Sequence, residues 1–132
     1  MKTKDIQQTV AFKAAPHDVY EALVDSRRHA RFTGAAARIS RKPGGTFSAY
    51  DGYISGINVE LVPDIRIVQA WRTIDWHEGC HSLVVYDLKP AKGGTRLAFT
   101  QIGVPAKDFK EISAGWEEFY WKPMKEMLET NK

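Results

Sequence analysis

With a single cysteine, Cys80, in 132 residues, the chain cannot close a disulfide within itself. Burial and hydrogen bonding must hold the fold, and a reducing compartment suits it. No stretch approaches the ~20 apolar residues that cross a bilayer. Residues 1–8 are charged and polar, without the apolar centre of a secretory leader. Both observations point to a cytoplasmic protein with no membrane span. Repeats, low-complexity tracts and linker-like runs are missing too. Residues 1–132 therefore read as one domain, long enough to bury roughly 70% of its unfolded surface. Acid is missing from one place in particular. No Asp or Glu lies between Asp25 and Asp51, whereas Arg27, Arg28, Arg31, Arg38, Arg41 and Lys42 all do. The net charge of +3 is small and the stretch lacks interleaved exposed aromatics, so nucleic acid is a poor fit. The stretch reads either as solvated surface or as a contact patch for an acidic protein, with Arg27, Arg28 and Arg31 as its first candidates.

What is present is alternation, then helical periodicity. Residues 4–14 carry Ile6, Val10 and Phe12 on one parity, as a strand does. Pro16 suits a first helical position, and Val19, Tyr20, Leu23 and Val24 make a short helical face. Asp25 and Ser26 are cap-type residues opening a second short helix over 27–32. Strands are expected over 46–50, 53–62, 65–73, 80–88 and 95–102. The turns between them are marked by Asp51-Gly52, Pro63-Asp64 and Gly93-Gly94. On the second of these strands Ile57, Val59 and Leu61 share a parity and are read as one face.

The last segment, 107–128, changes period. Ile112, Trp116, Phe119, Tyr120, Pro123, Met127 and Leu128 recur at three and four, opposite Glu117, Lys125 and Glu126. Pro123 inside it predicts a kink near Phe119. The architecture is α+β: a curved antiparallel sheet of about six strands wrapped on a long C-terminal helix, with two short helices after the first strand. Large rigid rings on a curved sheet tend to leave gaps. A ligand cavity between sheet and helix follows, walled by Phe47, Ile57, Trp71, Tyr86, Phe99, Trp116 and Tyr120, whose polar tips could orient a ligand. The same rings could instead be plain core.

Other motifs carry less. His77-Glu78-Gly79-Cys80-His81 spells H-E-x-x-H. That chemistry needs a helix, and here strand-like residues follow at once, so no metal site is assigned. Cys80 has no argued base beside it, and no Ser/His/Asp set or carboxylate pair supports hydrolysis. Gly44-Gly45 and Gly93-Gly94 are turn glycines rather than phosphate loops. No catalytic residue and no cofactor is assigned.

An ordered set of pieces spans nearly the whole chain. Residues 12–16 open the first helix, and Arg31 to Gly34 follow. Next come Gly44 to Phe47, Asp51 to Gly56 and Leu61 to Pro63. Ile67 to Arg72, Trp76 to Gly79 and Gly93 to Leu97 continue the series, and Gly103 to Pro105 with Gly115-Trp116 close it. In this order they resemble the activator of heat-shock protein 90 ATPase homologue family, within the START-like (SRPBCC, Bet v-like) superfamily. The resemblance implies a helix-grip fold with a cavity under the long helix. It also implies one of three functions. The first is a non-catalytic domain binding a small hydrophobic molecule. The second is an interaction module regulating a chaperone in a stress response. The third is a small-molecule cyclase or hydrolase.

Overall fold

The computed structural model describes residues 2–129. Seven antiparallel strands form one sheet in the order β1-β7-β6-β5-β4-β3-β2. They are β1 (Thr3–Phe12), β2 (Arg38–Ile39), β3 (Thr46–Ala49), β4 (Ile54–Val62), β5 (Arg66–Thr73), β6 (Ser82–Ala91) and β7 (Gly94–Pro105). The two-residue β2, too short to stand out by alternation, adds a strand to the expected six. Helices α1 (Pro16–Val24) and α2 (Ser26–Thr33) follow β1. Pro16 opens α1, which buries Val19, Tyr20, Ala22, Leu23 and Val24. Asp25 joins the two helices. Its backbone N–H donates to the Glu21 carbonyl at 2.8 Å and closes α1. Its carboxylate accepts from the Arg28 N–H at 3.0 Å and caps α2. Gly34 ends α2 at φ 75°, a left-handed position that favours glycine.

The chain ends in α3 (Phe109–Trp116), a π-turn (Glu117–Trp121) and α4 (Lys122–Glu129), which run on as one helix. The disturbance expected near Phe119 takes the form of this π-turn. Pro123 has no N–H to give the Phe119 carbonyl, and one extra residue enters the turn. The phase of the apolar face shifts with it. Trp116 and Trp121, five apart, both reach the sheet, with rings stacked at 5.5 Å and 21°. Phe119, expected inside, is 50% exposed, while Trp121 is 1% exposed. Trp116, Tyr120 and Met124 are buried, Met127 packs against the core, and Glu117 and Glu126 face water.

A second irregularity corrects the reading of β4. Its pairing with β5 slips between Asn58 and Glu60, so Val59 is the extra residue of a bulge. A bulge reverses the parity of everything after it. Leu61 packs against the core, but Ile57, on the same parity, is 42% exposed on the outer face. Asn58 takes the inward position instead. Its amide donates to the Ser40 carbonyl at 2.7 Å and accepts from Gln69 Nε2 at 3.1 Å, which ties the 40–45 loop to the sheet.

Candidate functional site

A cleft of about 450 Å³ opens between the sheet and the start of the long helix. Tyr50, Tyr53 and Ile54 line it from the start of β4 and the turn before it. Trp71, Thr73, Asp75 and Trp76 come from β5 and the turn after it, and Asp108, Glu111, Ile112, Gly115, Trp116, Phe119 and Tyr120 from the helical side. The rings are in contact around the wall. Trp71 lies 5.6 Å from both Trp76 and Trp116, Trp116 4.6 Å from Tyr120, Tyr120 6.0 Å from Tyr50, and Tyr50 5.9 Å from Phe119. Gly115 is the gap in that wall. A methyl built there would meet only the Phe119 ring, at 3.7 Å. Glycine within a helix costs about 1 kcal/mol relative to alanine, and here its missing side chain leaves the cleft open.

Of the seven expected wall residues, Trp71, Trp116 and Tyr120 line the cleft. Tyr86 and Phe99 do not. They sit deeper, 5.4 Å apart, beneath Trp116 and Trp121, and are core. Phe47 is also buried away from the cleft, its ring close over Gly56, where no side chain intervenes. Ile57 faces outward, on the parity opposite to the buried Ile54 and Asn58, and borders a separate shallow groove with Thr46 and His81. A tryptophan at position 57 would therefore not block the cleft, whereas a larger residue at 115 would.

The polar tips of Trp116, Trp121, Tyr50, Tyr53 and Tyr120 are bonded within the protein itself and so are not free to anchor a ligand. Trp116 Nε1 donates to Gln101 Oε1 at 2.8 Å, and Gln101 Nε2 donates to Ser82 Oγ at 2.9 Å. Trp121 Nε1 donates to Gln8 Oε1 at 2.6 Å. Two inward glutamines on β1 and β7 thus fasten two indoles of the helix. Tyr53 donates to Asp75 at 3.0 Å. Tyr120 reaches His29 Nε2 at 3.0 Å, and His29 Nδ1 lies 3.3 Å from the Leu23 carbonyl. This geometry suits a neutral imidazole that donates to Leu23 and accepts from Tyr120. Burial pulls the His29 pKa down to about 4, against the weaker pull of the Leu23 and Ala22 carbonyls. Burial pushes the Tyr120 hydroxyl well up. His29 escaped the sequence reading because nothing in its neighbours, Arg28 and Ala30, marks it as buried.

Tyr50 donates to the Phe119 carbonyl at 2.6 Å, the very group that Pro123 leaves without its helical partner. Burial pushes the Tyr50 hydroxyl up to about 12, so it stays a donor. Tyr50 and Asp51 both have positive φ, 50° and 58°. The strain is held by Asp51, which accepts from the Ala36 N–H at 2.8 Å and donates its own N–H to the Ala36 carbonyl at 3.1 Å. Tyr50→Phe should therefore cost about 1 kcal/mol, read by urea unfolding, and loosen the cleft wall at Phe119. No loss of stability would mean that water caps this carbonyl equally well.

The remaining candidates lie elsewhere. The H-E-x-x-H string occupies the turn before β6, where Cys80 N–H donates to the His77 carbonyl at 2.9 Å, and is not helical. Among the described residues no group of three or more His, Cys, Asp or Glu is placed to hold a metal ion. No helix is long and apolar enough to cross a membrane. Arg27, Arg28 and Arg31 are exposed on α2, while His29 and Phe32 of the same helix face inward against Tyr120.

The comparisons agree with this architecture. The family described as Activator of Hsp90 ATPase homolog 1-like protein matches residues 13–129. The chain is 32% identical over 116 residues to the Dictyostelium discoideum Activator of 90 kDa heat shock protein ATPase homolog, covering 87% of this chain and 30% of that protein. It is 30% identical over 115 residues to Activator of 90 kDa heat shock protein ATPase homolog 1 of Homo sapiens, covering 87% and 34%. The chain thus spans about a third of the length of these curated relatives. A crystal structure of an HSP90 activator from Plasmodium falciparum superposes with a TM-score of 0.89 at 25% identity, covering 95% of this chain and 96% of that one. By sequence across nearly its whole length and by fold, the chain belongs to the Activator of Hsp90 ATPase homolog 1-like family.

Proposed function

We propose that this chain is a non-catalytic regulatory domain that acts on an Hsp90-type chaperone ATPase. The observation that carries this reading is the match over residues 13–129 to proteins named as activators of that ATPase. The P. falciparum protein named an HSP90 activator aligns over nearly all of its chain with nearly all of this one, so the name is carried at this one-domain extent. A contact surface is at hand in Arg27, Arg28 and Arg31, exposed on α2 and suited to an acidic face. Adding the purified domain should raise the steady-state ATPase rate of an Hsp90-type chaperone. Reversing the three arginines to glutamate should weaken half-maximal stimulation roughly tenfold or more, at the exposed-pair scale for each charge. An unchanged rate at saturating domain would reject the reading. An unchanged half-maximal concentration in the reversed variant would move the contact off α2.

A second reading has an observation of its own. The aromatic cleft has the size and lining of a small-molecule site. In this reading an apolar ligand enters between Trp71, Trp116 and Tyr120 and alters tryptophan fluorescence. Gly115→Leu should abolish the response while keeping the fold. The lining contains no serine, cysteine or histidine, so it offers neither of those nucleophiles and no imidazole base.

A further inference from the structure

We propose that the cleft selects an organic cation, an ammonium group carried on an apolar body; this rests on the reading of the cleft as a small-molecule site. Charge complementarity decides the class. The chain as a whole is net basic at +3. Yet the cleft lining contains Asp75, Asp108 and Glu111 and no lysine, arginine or histidine. The ion pairs among the described residues lie elsewhere and involve none of these three carboxylates. Asp75 accepts from the Tyr53 hydroxyl, which leaves its charge in place. Arg72, next to Trp71 in sequence, keeps its positive charge but does not line the cleft; it donates to the carbonyls of Thr73, Trp76 and His77 and so fastens the turn that carries Trp76 and Asp75.

The wall behind the carboxylates points the same way. Ring faces carry negative potential and attract a desolvated ammonium. Trp71, Trp76, Trp116 and Tyr120 are all buried and edge one another, so the apolar part of a ligand would lie against a continuous aromatic surface. At the rim Tyr53 and Phe119 are 45% and 50% exposed. An anionic amphiphile of equal length would bring its carboxylate toward three others at the solvent-facing mouth of the cleft, where like charges repel. A neutral one would gain the apolar contacts alone.

The test is a matched series, decyltrimethylammonium, decanol and decanoate, titrated below their micelle concentrations and followed by tryptophan fluorescence and calorimetry. The ammonium should bind roughly tenfold tighter than decanol, with decanoate weaker still. Added salt should weaken the ammonium and leave decanol unchanged. The double variant Asp108→Asn with Glu111→Gln should bring the ammonium and decanol together without weakening decanol, and its thermal midpoint should stay close to that of the parent chain. Equal binding of all three compounds, or tighter binding of decanoate, would overturn the cation inference and leave the cleft reading standing. No binding of any compound, with Gly115→Leu indistinguishable from the parent chain, would overturn both.

Discussion

Trp121→Ala should be the most damaging single truncation in the helix, costing about 3–5 kcal/mol. Trp121 is fully buried against Phe12, Tyr86, Phe99 and Trp116, at ring distances between 5.2 and 6.5 Å. Its removal leaves a cavity the size of an indole and takes the donor from Gln8 Oε1. Phe119→Ala, two residues earlier, removes a ring that is half exposed and should cost less than about 1 kcal/mol. The pair is a direct test of the π-turn. A regular helix through this segment would turn Phe119 inward and Trp121 away, and would reverse the order of the two costs. Urea unfolding of both variants decides it.

The second large effect is acid sensitivity. The His29 pKa is 6.5 for a free histidine and about 4 in the folded chain. The neutral ring is held by burial, between Leu23 and Tyr120. Above about pH 6.5 both folded and unfolded chains hold the ring neutral, and the full stability is present. As pH falls toward 4 the unfolded chain takes up a proton that the folded one refuses. Stability then drops by up to about 3 kcal/mol. Glu21 works in a lower window. Its hydrogen bond from Arg41 lowers its pKa below 4.5, so its contribution is lost only as pH falls further. His29→Gln keeps a donor for Leu23 and an acceptor for Tyr120 and does not titrate. Its unfolding free energy should be flat from about pH 7 to about pH 5, while that of the parent chain falls. A parent chain with no slope in this window, or a Gln variant with the same slope, would refute the assignment.

These two residues mark where local pattern stops being informative. The arginines of α2 stand out in the sequence as a run of charge. His29 between them looks like one more polar residue, and only the packing of α2 on Tyr120 buries it. Trp121 sits off the three-and-four spacing, and only an extra residue in the helical turn brings it round to the sheet beside Trp116.

The sequence by itself determined the order of the elements, the cap at Asp25, the strand alternation away from β4, the long aromatic helix and the family. Each rests on residues near one another in the chain, where period and cap chemistry act. Tertiary structure alone decided the bulge at Val59, which brought Leu61 to the same face as Asn58 and left Ile57 on the other, because register belongs to the pairing of two strands. It also divided the rings: all five belong to the buried core, but only Trp71, Trp116 and Tyr120 also line the cleft. All five are apolar, inward and large. What separates them is where the long helix lies on the sheet, a relation between elements far apart in the chain that no local spacing encodes.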